Sequence, residues 1–233
     1  MAFSAADAQE TGYGYITGKC MTAEGEASDD WRIRFFDVKM GGSPFTNEYR
    51  RIPDYFVRSG DDGSFSAKLP EGSYYVIAIR DRLDKVAGPP GEGDLIYPPM
   101  DGTEYEPYRV RADETIDLGV ISGAVPFKKE WAAEGKTGIA GIVYDRKGRP
   151  LKRVIVLAVT EPDAEGPVFV SDEETDSSGS FIVRVPEGGA YYLKVRGYLH
   201  PDIIPVVTGE ITEGIELHID KAKKEKEKIK NKG

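Results

Sequence analysis

Two stretches of the chain repeat one pattern, and this repeat restricts the fold more than any other feature of the sequence. GSFSAKLPEGSYY occupies residues 63–75 and GSFIVRVPEGGAYY occupies residues 179–192. Aligned without gaps at an offset of 116, the two stretches share Gly, Phe and Pro-Glu-Gly. Apolar and polar residues alternate in each, which is typical of a β-strand with one buried face. We therefore interpret the shared residues as folding geometry rather than shared chemistry.

Each copy places Pro-Glu-Gly between two alternating runs. This arrangement predicts a hairpin turn, because Pro presets φ and Gly accepts a positive φ. The apolar members of the four runs are the predicted core: Phe65, Leu69, Tyr75, Ile77, Ile79, Phe181, Val183, Val185, Leu193 and Val195. Ser66, Lys68 and Arg184 lie between them in the sequence, and we expect them to be exposed.

The similarity extends beyond the repeat, since GYITGKCMTAEGEA (14–27) resembles GIAGIVYDRKGRP (138–150). Short alternating runs without an amphipathic helix predict an all-β protein made of two tandem antiparallel Greek-key β-sandwiches, immunoglobulin-like or transthyretin-like. The predicted parts are a signal-peptide remnant or flexible N-terminus (1–10), sandwich 1 (11–125), a linker (126–136), sandwich 2 (137–220) and a Lys-rich tail (221–233).

The offset between matching residues falls along the chain from 123 to 116 and then to 99. Sandwich 1 therefore contains additional residues at two places, about 40–53 and 81–105. The second insertion is rich in Pro and Gly, and a long loop of this kind inside a compact domain is often functional.

The order G-x-V-x-D-x-x-G-x-P, followed by T-D-x-x-G-x-F-x-V-x-V-P-E-G-x-Y-Y, resembles the carboxypeptidase regulatory-like domain. In sandwich 2 the resemblance rests on Gly141, Asp145, Gly148, Pro150, Asp176, Gly179, Phe181, Pro186, Gly188 and Tyr192. Sandwich 1 departs from the pattern at Thr22 and Ala27. The resemblance implies a transthyretin-like seven-stranded sandwich of bacterial secreted and surface proteins, a noncatalytic module without shared catalytic residues.

The net charge and the N-terminal sequence indicate the partners and the cellular location of the chain. The net charge is −9, and residues 221–233 hold seven Lys and two Glu, so the remaining chain has a net charge of −14. An acidic body repels phosphate backbones, which argues against a nucleic-acid partner. No apolar run approaches the roughly 20 residues of a membrane span. Ala6-Asp7-Ala8 resembles a signal-peptidase site, and we expect a periplasmic, cell-surface or extracellular location.

We predict no catalytic, cofactor-binding or metal-binding residues. The single cysteine, Cys20, excludes an internal disulfide. His200 and His218 do not form a metal-binding pattern, so a metal-dependent sandwich enzyme is an outside alternative. The acidic run at 171–178 lacks the ligand spacing of an EF-hand calcium loop, and whether it binds calcium stays open.

The second insertion and the residues just after it supply the candidate partner-contact residues Tyr97, Tyr105, Tyr108, Asp94 and Glu104. Mixed aromatic and acidic side chains suit a wet interface. The predicted function is a noncatalytic, exported structural or protein-interaction module of the cell envelope or surface, with its contacts on the insertions and sandwich 2 as a spacer or second docking unit. The alternative is a carbohydrate-binding accessory protein, since aromatic faces also stack on sugars.

Overall fold

The computed structural model describes residues 12–27, 30–81, 89–163, 166–195 and 197–219. These residues form an all-β protein, as predicted, with short 3₁₀ helices at Val38–Met40 and Lys129–Trp131. The strands, in chain order, are β1 Tyr13–Cys20, β2 Trp31–Asp37, β3 Tyr55–Arg58, β4 Ser64–Pro70, β5 Gly72–Arg80, β6 Leu95–Tyr97, β7 Tyr108–Val110, β8 Thr115–Ile121, β9 Val125–Pro126, β10 Gly138–Asp145, β11 Val156–Val159, β12 Val168–Val170, β13 Ser180–Arg184, β14 Gly189–Val195, β15 Tyr198–Leu199, β16 Ile204–Val206 and β17 Ile211–Ile219.

In the N-terminal half, residues 12–126, two sheets enclose one apolar core. The smaller sheet has the order β4-β1-β8, and the larger has β3-β2-β5 with β6 and β7 both on the free edge of β5 and β9 beyond β6. Ile16 and Leu69 of the smaller sheet meet Trp31, Ile33 and Val76 of the larger one.

The C-terminal half, residues 138–219, repeats this strand order. The smaller sheet is β13-β10-β17, and the larger is β12-β11-β14 with β15 and β16 both on the edge of β14. Ile139, Val183, Val156, Leu193 and Leu217 lie in its core and are fully buried. The predicted core positions Phe181, Val185 and Val195 belong to the same cluster.

The Pro-Glu-Gly turns connect the two sheets of each half, so the predicted hairpins were wrong. β4 pairs with β1, whereas β5 pairs with β2, and Pro70 therefore ends one sheet as Gly72 begins the other. β13 and β14 are separated in the same way. Hairpins and sheet-to-sheet connections use the same turn residues, and local sequence does not separate them.

A tyrosine hydroxyl fastens each of these connections. The Tyr74 hydroxyl donates to the Pro70 carbonyl at 3.0 Å, and the Tyr191 hydroxyl donates to the Glu187 carbonyl at 3.0 Å. Tyr74, rather than Tyr75, thus corresponds to Tyr191, because the second copy has one more residue in its turn. A shift of one residue moves every side chain of a strand to the opposite face.

This shift corrects the predicted core on β5. Tyr74, Val76 and Ala78 face the core between the sheets, while Ile77 and Ile79 are buried on the opposite face. The burial predicted for Tyr75 was wrong, since its side chain is only partly buried there. Phe65 and Leu69 are buried, and Ser66 and Lys68 are exposed, as predicted.

Each smaller sheet contains one parallel pair, which the expectation of antiparallel sandwiches did not include. β1 runs parallel to β8, and β10 runs parallel to β17. The register shifts once in each pair, and Gly141 lies at such a shift. A Cβ atom on Gly141 would stand 1.9 Å from the Ile215 carbonyl oxygen, so the two backbones require glycine there.

Candidate functional site

The two insertions and the predicted linker cover the outer face of the larger N-terminal sheet. Ile77, Ile79 and Ile96 point outward from β5 and β6 and form a third apolar cluster. Three buried side chains close this cluster from above: Phe45 from the first insertion, Met100 from the second and Phe127 from the linker. Apolar burial here offsets the entropy of ordering the inserted residues.

The first insertion also reaches the C-terminal half, where it continues the larger sheet beyond β12. The Ile52 N–H donates to the Val168 carbonyl at 2.8 Å, and the Val170 N–H donates to the Arg50 carbonyl at 3.0 Å. The Tyr49 ring, 7% exposed, packs edge-on against Phe169 at a centroid distance of 5.5 Å. Tyr49 thereby belongs to the apolar core of the C-terminal half.

The linker binds the other side of the same segment. Glu134 N–H donates to the Asn47 carbonyl at 2.6 Å, and Gly135 N–H donates to the Glu48 carbonyl at 3.1 Å. A Cβ atom on Gly135 would lie 2.1 Å from that Glu48 oxygen, so only glycine fits this approach. We call residues 47–52, 134–135 and 168–170 the junction.

Charged side chains lie within the junction and beside it. The Arg184 Nε lies 2.9 Å from Asp172 Oδ2, and the Arg184 guanidinium also donates to the Gly135 carbonyl. Arg184 is therefore half-buried, and the prediction that it is exposed was wrong. Burial lowers the pKa of Arg50 to about 10. Burial raises the pKa of Asp172, while the neighbouring Arg184 and Arg50 oppose that rise.

A groove opens at the edge of β5, between the two short strands that pair with it. β7 pairs with residues 72–74 of β5, and β6 pairs with residues 78–80. The chain between β6 and β7, residues 98–107, passes outside this edge and leaves a groove with a volume of ≈ 360 Å³. Val76, Ala78, Leu118 and Ile121 form its apolar floor.

The three predicted tyrosines all line this groove. Tyr97 stands at one end, 38% exposed, and Tyr108 at the other, 43% exposed. Tyr105 lies between them in the chain, with its ring centroid 4.7 Å from that of Phe45. Burial of the hydroxyl raises the pKa of Tyr105, and Asp101 adds to this effect. The structure thus brings Tyr97, Tyr105 and Tyr108 together, although up to eleven residues separate them in the sequence.

The two predicted acidic contacts occupy different environments. Glu104 is exposed but does not line the groove, whereas Glu106, which was not predicted as a contact residue, does line it. Asp94 is 1% exposed and accepts a hydrogen bond from the Gly91 N–H at 2.8 Å. Its carboxylate closes its own turn, so Asp94 is not a surface contact, and we remove it from the site.

Other side chains that could react chemically are buried or make contacts within the fold. Cys20 is fully buried, and burial raises the pKa of its thiol to about 12. The His218 ring stacks on the Tyr144 ring with their centroids 5.2 Å apart, and Asp176 of the acidic run accepts hydrogen bonds from Ser178 and Ser180.

Among the described residues, no three His, Cys, Asp or Glu side chains form a possible metal site. Within the same ranges, no helix has the length and apolar character to cross a bilayer.

No protein-family model and no curated protein match the chain. Among solved structures, it is similar to the Bacillus anthracis TIE protein, with 13% identity and a TM-score of 0.30 over 89% of this chain and 34% of that one. A streptococcal ancillary pilin gives 13% identity and a TM-score of 0.26 over 90% of this chain and 63% of that one.

GBS52, a minor pilin of Streptococcus agalactiae, gives 13% identity and a TM-score of 0.29 over 90% of this chain and 96% of that one. This chain spans 34% and 63% of the length of the first two proteins. The resemblance to the carboxypeptidase regulatory-like domain stays a prediction.

Proposed function

We propose that this chain is a noncatalytic structural and protein-interaction module that is exported to the cell envelope or surface. The C-terminal half acts as a spacer, and the N-terminal half presents the tyrosine groove to a protein partner. The observation that carries this proposal is the convergence of Tyr97, Tyr105 and Tyr108 on one groove with an apolar floor.

The composition of the groove supports binding to a protein. Tyrosine is enriched at protein interfaces, where its ring supplies contact area and its hydroxyl stays hydrated. The floor is already formed by two strands of rigid sheets, β5 and β8, so little order must be gained on binding.

The junction supports a spacer role. Backbone hydrogen bonds from the first insertion reach both β12 and the linker. The two halves are thus joined by paired backbone and by the buried Tyr49 side chain as well as by the linker. The first insertion is used in this contact, which leaves the second insertion as the candidate partner surface.

Site-specific photocrosslinking in the native cell tests the proposal. A photoreactive phenylalanine analogue at Tyr108 of the full-length chain should give a discrete protein adduct. The same analogue at Tyr15, which is 39% exposed on β1, is the matched control and should give none. External protease added to intact cells should remove the tagged chain if it is exported to the surface.

Two outcomes would contradict the proposal. Equal adducts at Tyr108 and Tyr15 would show that the groove is not a specific contact. Binding of the purified chain to a defined glycan on an array, lost in Tyr97→Ala and retained in Tyr15→Ala, would replace it with the carbohydrate-binding alternative.

A further inference from the structure

The groove combines aromatic faces with a carboxylate, a combination that favours a cation. Tyr97, Tyr105 and Tyr108 line it together with Glu106. An ammonium group within about 6 Å of an aromatic face is attracted by the ring quadrupole, and a nearby carboxylate adds a direct charge interaction. The same molecule already contains a contact between an ammonium group and an aromatic face, with Lys68 Nζ 4.8 Å from the Tyr13 ring centroid.

The size of the groove suits a side chain rather than an added strand. Tyr97 pairs with Ala78 and Tyr108 pairs with Tyr74, four positions apart along β5. At about 3.3 Å per residue the two tyrosine positions are ~13 Å apart. β6 and β7 occupy the edge on both sides, so an incoming strand has no room to pair along it. A long side chain can enter between them.

The negative charge at the rim of the groove favours a positively charged occupant. The segment 98–110, which forms the rim, carries Asp101, Glu104 and Glu106 against Arg109, a net charge of −2. Outside residues 221–233 the chain has a net charge of −14, while those thirteen residues carry +5 with seven Lys. Residues 221–233 therefore complement the charge of the groove, and they belong to the chain itself.

Strand direction favours a second copy as the source of that segment. Gly138, next to the junction, pairs with Ile211, whereas Asp145 pairs with Ile219. The parallel strand β17 therefore ends at the far end of the C-terminal sheet, ~23 Å from Gly138 along β10. Ile219, the last residue of β17, therefore lies away from the N-terminal half of its own chain, at the end that a neighbouring copy can approach.

We infer that the tyrosine groove binds a lysine ammonium group from residues 221–233 of a second copy of this chain. The inference rests on the proposed function, because it names the protein partner of the same groove. Reciprocal exchange of this segment between two copies would close a symmetric pair, whereas one-way exchange would build larger rings or open chains of molecules.

Sedimentation of the full-length chain over a range of concentrations tests the inference. The wild type should self-associate at ~50 mM salt and weaken at ~0.5 M salt, where the Debye length falls below about 5 Å. Glu106→Gln and Tyr108→Leu should each weaken association about tenfold, because Leu keeps the apolar bulk and loses the aromatic face. Replacing the seven lysines of residues 221–233 by Ser should abolish it.

Matched controls separate the groove from general surface effects. Tyr97→Phe keeps the ring and should retain association, as should Tyr15→Ala and Glu213→Gln, which change exposed residues outside the groove. A synthetic peptide of residues 221–233 should bind the lysine-free variant, and acetylation of its lysines should prevent this.

Several results would overturn the inference. A mass independent of concentration, with the peptide still bound by the lysine-free variant, would place the segment in the groove of its own chain. Association that survives the seven Lys→Ser changes would exclude this segment as occupant. If either result occurs while the photocrosslink at Tyr108 still yields an adduct with another protein, the proposed function stands and only this partner is lost.

Discussion

Single residues fix the turns of this fold, and the motif residues shared with the regulatory-like pattern act in this way. Asp145 Oδ1 accepts hydrogen bonds from the Lys147 and Arg149 N–H groups at 2.8 and 3.0 Å, and Gly148 adopts a φ of 72°. In the N-terminal half, Thr22 replaces the aspartate, and its hydroxyl accepts from the Glu26 N–H at 3.2 Å. The departure from the motif therefore preserves the turn.

The Asp145 turn gives a prediction for pH dependence. Hydrogen bonds and the Arg149 guanidinium hold the pKa of Asp145 at about 2, below the ordinary aspartate value. A depressed folded-state pKa contributes stability above the unfolded pKa of about 4, which is lost as pH falls through about 2. Asp145→Asn should lower the calorimetric melting temperature at pH 7, and the difference should vanish near pH 2.

Arg149→Gln serves as the control for that prediction. It removes the cation and leaves the aspartate in place, so its effect on the melting temperature should follow the same pH profile. A deficit of Asp145→Asn that persists at pH 2 would assign the effect to turn geometry rather than to charge.

At the scale of elements, the sequence predicts strands well and their partners poorly. Alternation identifies β4, β5, β13 and β14 and most of their buried positions because burial on one face has a period of two. It cannot say whether the following strand stays in the same sheet. It also misses the parallel pairs of β17 and β8, which are contacts between distant segments.

The site was predicted only in part, again because contacts between distant segments leave no local pattern. Tyr97, Tyr105 and Tyr108 were identifiable from an insertion rich in aromatic and acidic residues. The burial of Asp94 depends on a turn that forms only in the folded loop. Coverage of Ile77 and Ile79 depends on Phe45 and Met100 from other parts of the chain. These are tertiary effects without a local pattern.

The linker offers a test of packing at the junction. Gly135→Ala places a methyl group 2.1 Å from the Glu48 carbonyl oxygen, so the two backbones must separate. We expect a loss of about 1–3 kcal/mol, the usual range for overpacking. Chemical denaturation measures it. Gly60→Ala is the matched control, because its nearest neighbour would be at 3.5 Å, an ordinary contact. An equal loss in both would argue against a specific junction contact.

The whole molecule consists of two halves with the same strand order that share a buried side chain. Tyr49 belongs to the N-terminal half by sequence and to the C-terminal core by packing. Melting of one half should therefore affect the other, and the angle between the halves should be restricted.

Tyr49→Ala tests this coupling. Removing a buried aromatic side chain costs about 3–5 kcal/mol, and here the loss falls on the contact between the halves. We expect calorimetry to show two separated transitions where the wild type shows overlapping ones. Small-angle X-ray scattering should show a larger maximum dimension. Tyr15→Ala, an exposed tyrosine, should change neither measurement. Unchanged scattering in Tyr49→Ala would mean that the linker alone sets the arrangement.

The single thiol of Cys20 can report when the N-terminal core opens, without any added label site. It lies at 0% exposure in the N-terminal core, and the sequence holds no second cysteine. A thiol reagent can modify Cys20 only after that core opens. The labelling rate therefore reports how often the N-terminal half opens, and it does not detect opening of the C-terminal half. Because Tyr49 couples the two halves, Tyr49→Ala should raise this labelling rate under native conditions, measured by mass spectrometry at fixed reagent concentration. A rate equal to that of the wild type would show that the N-terminal core opens independently of the C-terminal half.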